Sequence, residues 1–126
     1  MILLKLYRDQ AREVRDHFFP YLLLVCETRI EDGKERESLM ITQETRWEAI
    51  TEKLIGRMMY SLVDSLKVRF DKKLLTDQNR LTIKMPDSEA ICFYQLLMNM
   101  PLSPDWWFMI NLRREITDYL SGQLCI

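Results

Sequence analysis

The chain has 126 residues, 48% of them hydrophobic and 29% charged, with three Gly and four Pro, a composition that excludes a disordered chain and suffices for one domain without metal or disulfide support. A net charge of -1 gives no global attraction to nucleic acid or to an anionic membrane. Cys26, Cys92 and Cys125 stand far apart with no CxxC pair, and an odd count without a secretion signal is expected to be free thiols in a reducing, cytoplasmic setting.

Ile2-Leu3-Leu4-Lys5-Leu6 reads as a strand, because Lys5 interrupts the run too early for a signal-peptide core. From Asp9 to about Phe19, Ala11, Val14 and Phe18 recur at helical spacing, with Arg8, Arg12, Arg15 and Asp16 on the other face. Pro20 then requires a kink or a new segment. The longest uncharged apolar run, Phe18 to Cys26, is far shorter than the ~20 residues that span a bilayer, so no membrane partner is expected. Residues 21–42 admit two readings: a hairpin turning at Asp32-Gly33 and returning through Ser38 to Thr42, or a helix to Ile30 followed by a mobile charged loop. The charged flanks, Glu27 to Glu37, carry little strand character, which favours the second.

From about Gln43 to Leu75 the pattern predicts one long helix. Thr45 and Glu48 fit a capping box, with Thr42 as a competing cap. Ile50, Leu54, Met58, Leu62, Leu66, Phe70 and Leu74 recur every four residues, so the apolar stripe winds slowly around the helix. Lys53, Arg57, Asp64, Lys67 and Asp71 are expected on a solvated face. Either Gly56 bends this helix, or the helix projects and packs against a partner.

Asp77-Gln78-Asn79 turns into a second strand, Arg80 to Met85, which Pro86 ends. Asp87 or Ser88 should cap a helix carrying Ile91, Tyr94, Leu97 and Met98. Ser103-Pro104-Asp105 should open a last helix that runs to about Leu120 and stops at Ser121-Gly122. In that helix Trp106, Trp107, Phe108, Met109 and Ile110 cover the whole circumference, so it must be surrounded, by its own domain or by a partner anchored on Trp.

The first strand and its helix head resemble the second, each strand bearing a Lys at its fourth position before an Asp step and Gln-Ala or Glu-Ala. The expected fold is therefore a helix-dominated α+β single domain, residues 1–126. Its two strand-helix-helix units, about 1–76 and 79–122, form a pseudo-repeat with a small two-stranded sheet.

Chemistry is sparse. His17 is the only histidine and no spacing brings it to a cysteine, so it reads as structural. The scattered thiols give no metal site, and Glu48, Glu52, Asp64 and Glu89 have ordinary capping or surface roles. No catalytic residue, metal or cofactor is expected, and the chain reads as not an enzyme. The function expected is a small cytoplasmic interaction or assembly protein, homo-oligomeric or bound to another protein, with Leu62, Leu66, Trp106, Trp107 and Phe108 as candidate interface. The alternative is a nucleic-acid accessory factor that uses Lys67, Arg69, Lys72, Lys73, Arg80 and Lys84, the most basic stretch. Against it stands the ordinary gathering of cations at a helix C-terminus.

Overall fold

Two short strands close the base of a long helical hairpin. The computed structural model describes the backbone of residues 1–39 and 43–126 and the side chains of 1–35 and 46–126. Strand β1 (Ile2–Tyr7) pairs antiparallel with β2 (Arg80–Met85), Leu4 facing Ile83 and Tyr7 facing Arg80. Alternation decides which face is buried: Ile2, Leu4, Leu6, Leu81, Ile83 and Met85 enter the core, while Leu3, Lys5 and Tyr7 face out. On the outward face the Arg80 guanidinium lies 5.3 Å from the Tyr7 ring centre. The helix-dominated α+β class with a two-stranded sheet is thus the observed one.

Helix α1 (Arg8–Glu13) leads through a π-helical turn, Val14–Phe18, directly into α2 (Phe19–Leu39). The Phe19 N–H bonds to the Val14 carbonyl, five residues back. Pro20 follows at once, lacking an N–H and crowding the carbonyl four residues before it. Widening the ladder by one residue just ahead of the proline lets the helix run on. The expected break at Pro20 is therefore absorbed by a π turn.

The charged segment after Ile30 is neither a hairpin nor a loop over its described part, since α2 continues through Asp32-Gly33 to Leu39. The Thr42 cap and the end of the postulated return arm lie outside the described residues. Helix α3 (Gln43–Leu74) is unbroken over 32 residues, about 48 Å at 1.5 Å per residue. It is already helical at Thr45, so that residue is not its cap. Gly56 does not interrupt the helix; it lets two helices approach. A Cβ there would come within 2.9 Å of Ile30 Cγ1 on α2, and one at Gly33 within 2.9 Å of the Lys53 backbone nitrogen on α3. Lys53 accordingly faces α2 rather than open solvent.

The core sits at the base of the hairpin. Phe19, Phe70 and the α4 residue Phe93 meet there, the Phe19 ring centre 5.0 Å from Phe70 and 5.6 Å from Phe93; such pairs add about 0.5–1.5 kcal/mol each beyond their area. Arg8 braces the same end, donating to the carbonyls of Leu74, Thr76 and Gln78 where α3 runs out of internal partners.

Helix α4 (Asp87–Met98) has Pro86 at its N-cap, with no side-chain cap from Asp87 or Ser88. It buries Ala90, Phe93, Leu96 and Leu97, whereas Ile91 and Met98 of the apolar pattern read in the sequence are exposed. Helix α5 (Trp107–Leu124) starts later than expected, because 103–106 form a turn in which Trp106 N–H bonds to the Ser103 carbonyl. It also passes through Ser121-Gly122 and ends at Cys125, which takes the left-handed conformation with φ 58°. Its inward face is Met109, Leu112, Ile116 and Leu120, and Tyr119 donates to the Leu3 carbonyl, tying α5 to β1. The helix is not surrounded, for Trp106, Trp107 and Phe108 are all exposed.

Candidate functional site

The apolar stripe of α3 serves two surfaces. Residues four apart advance about 40° around a helix of 3.6 residues per turn, so the stripe rotates as it runs. Near the base it points inward, with Leu66 and Phe70 buried; in the arm it points outward, with Leu54 55% and Met58 57% exposed. Seen along the helix, α2 covers the side holding Ala49, Gly56 and Val63. The opposite side carries Trp47, Ile50, Thr51, Leu54, Ile55, Met58, Ser61, Leu62 and Ser65, without a single charge. A solvated helix face ordinarily carries charged residues; from Trp47 to Ser65 this one is uncharged and partly exposed.

That face runs into a groove of about 490 Å³ between α3 and α4. Ile55, Met58, Met59 and Leu62 form one wall, and Ile91, Cys92 and Gln95 the other. Arg29 closes one end: its Nε donates to Glu52 Oε2 at 2.7 Å and its Nη1 lies 3.4 Å from the Met59 sulfur, bracing α2 against α3. Towards the core Glu89, 5% exposed, accepts from Ser65 Oγ at 2.8 Å and from Arg69 Nε at 3.0 Å. Both carboxylate oxygens are partnered, so the group joins α3 to α4 instead of presenting a reactive acid. The unbranched Met58 and Met59 side chains make the α3 wall adaptable in its packing, whereas β-branched Ile55 and Ile91 are stiff.

Of the expected interface, Leu62 lines this groove, but Leu66 is 1% exposed and belongs to the core. Trp106, Trp107 and Phe108 form a separate aromatic surface at the head of α5. There the Trp106 ring meets His17 edge-on at 5.4 Å, and His17 Nε2 sits 3.1 Å from Glu13 Oε2. Ile55, Met58, Met59, Ile91 and Cys92 were not expected to line a groove, and Cys92 is itself buried. Their signal was present only in Met58, a member of the four-residue recurrence.

The basic residues occupy several faces. Lys67 lies about 140° or more around α3 from Arg69 and Lys72. Arg69 is held by Glu89, Arg80 stacks on Tyr7, and Lys84 stands on the outward sheet face opposite Leu3. Lys73 is half-buried beside the α3 C-terminus.

Burial pushes the Cys26 thiol up, and pushes Cys92 up to about 11 with a smaller contribution from Cys26 beside it. Both stay protonated at neutral pH and are poor nucleophiles. Among the described residues no group of three His, Cys, Asp or Glu side chains is placed to hold a metal ion, and no helix is long and apolar enough to cross a membrane. No protein-family model, curated protein or solved structure matches the chain.

Proposed function

We propose that this is a small, non-enzymatic, cytoplasmic assembly protein that self-associates through the outward face of α3 and the adjoining α3–α4 groove. The supporting observation is the uncharged face from Trp47 to Ser65, continuous with exposed Ile91 on α4. Fully burying a Leu, Ile or Met side chain is worth about 1.5–3 kcal/mol. Leu54, Met58 and Ile91 are already about half buried, so covering them supplies roughly half of that each, on both copies, towards the entropic cost of association. The aromatic head of α5 offers a further anchor of the kind enriched at interfaces.

The test is solution mass by size-exclusion chromatography with light scattering, over a concentration series at physiological salt. A dimer or larger species is expected, with Met58→Lys and Leu62→Ser shifting it to monomer while the circular-dichroism spectrum stays helical. Reversing the charge of Lys72 and Lys73 should leave the mass unchanged. A parent protein that remains monomeric throughout the series would rule out the proposal.

A further inference from the structure

We infer that the α3 face docks a second copy of itself, antiparallel, with the two-fold axis at the level of Gly56, so that the two hairpin arms stack in the order α2–α3–α3–α2. This inference rests on the assembly reading above and names its partner and register. A two-fold contact must be self-complementary, residue i meeting j wherever j meets i. Trp47 and Ser65 lie at equal distances in sequence on either side of Gly56, as do Leu54 and Met58. At 100° per residue these four lie within about 40° of one line along the helix. In the antiparallel register Leu54 of each copy covers Met58 of the other. Trp47, the largest side chain on the face, meets Ser61 and Ser65, the smallest.

The groove receives that tryptophan. The bond from Ser65 Oγ to Glu89 fixes the start of α4 beside Ser65, so a Trp47 laid over Ser65 sits at the groove end formed by Ser88 and Ile91. A parallel register would instead oppose Trp47 to Trp47 and Ser65 to Ser65, crowding one end and leaving a gap at the other. It would also bring both globular bases to the same end.

Charge points to the same register. Arg46 and Asp64, both exposed, lie about five full turns apart and so occupy one flank of the apolar line. Antiparallel helices bring like flanks together, so Arg46 of each copy meets Asp64 of the other, at both ends of the interface and within about 3 Å along the axis. The two Arg57 side chains approach near the axis on this flank; they are exposed, and salt screens them over about 8 Å.

Sedimentation equilibrium on Arg46→Asp and Asp64→Arg tests the register. Each variant alone places like charges at both ends, so its self-association should weaken about tenfold. An equimolar mixture of the two regains opposite charges at both ends and should associate as tightly as the parent. Trp47→Ala, a surface change that leaves the core intact, should weaken the dimer more than either. If the parent dimerises but the charge variants and their mixture match it, the register is overturned and the assembly reading survives. A monomeric parent overturns both.

Discussion

Burial sets the reactivity of the cysteines, and it makes one of them a sensor of alkaline unfolding. Cys92 is 7% exposed between α3 and α4, and its thiol is pushed from an ordinary 9.0 to about 11, chiefly by desolvation. The folded state thus holds a proton that the unfolded state releases earlier. Its contribution is complete below about pH 9 and is lost as the pH climbs towards 11. A two-unit shift corresponds to about 2–3 kcal/mol. The urea midpoint of the parent should therefore fall between pH 9 and 11 more steeply than that of Cys92→Ala, in which this group no longer titrates. Parallel pH profiles for the two proteins would show that Cys92 carries no such linkage. His17 and Glu89, read from the sequence as having ordinary structural roles, are each engaged by neighbours, His17 by Glu13 and Trp106, Glu89 by Ser65 and Arg69.

At the scale of elements, the glycines show how one residue type carries opposite meanings. Gly33 and Gly56 are buried where α2 and α3 nearly touch, whereas a Cβ on Gly122 would meet nothing within 4 Å. Gly56→Ala should lower stability by about 1–3 kcal/mol, because overpacking against Ile30 outweighs the roughly 1 kcal/mol gained in helix propensity. Gly122→Ala should raise it by up to about 1 kcal/mol in the same thermal or urea melts. Equal gains at both sites would refute the close approach. The same pair of glycines explains what could be read in the sequence. Strands β1 and β2 and the length of α3 were legible because their periodicities of two and four run uninterrupted. Asp32-Gly33 looked like a turn since a lone sequence does not distinguish a glycine needed for backbone freedom from one needed for a close helix contact. The groove was harder still: Leu54 and Phe70 share one recurrence, and only the position of α2 decides that Phe70 is core and Leu54 is surface. The crowded run from Trp106 to Ile110 implied an enclosed helix, yet the turn at 103–106 starts α5 late enough to leave its aromatic head in solvent.

For the whole molecule, the placement of the core predicts a gradient of stability along the hairpin. Phe19, Phe70 and Phe93 anchor its base, where α2, α3, α4 and the sheet converge, while in the arm Gly33, Ala49 and Gly56 are the buried positions among the described residues. Few buried apolar contacts mean low local opening energies. In dilute protein, amide hydrogen exchange should accordingly be faster at 27–35 and 47–58 than around Phe70 and Phe93, even though all of these segments are helical. Assembly changes the expectation in a way that fold alone does not. If the α3 face is covered by a second copy, protection in the arm should rise with protein concentration, by RT ln of the ratio of concentration to dissociation constant, while the base, already limited by global unfolding, gains the same increment only through the dimer as a whole. Exchange at 47–58 that stays fast and independent of concentration would mean an arm left bare, and would count against both the assembly reading and its antiparallel register. Slow exchange in the arm at every concentration would mean that the two glycine contacts and the Arg29–Glu52 brace suffice to hold the hairpin without a partner.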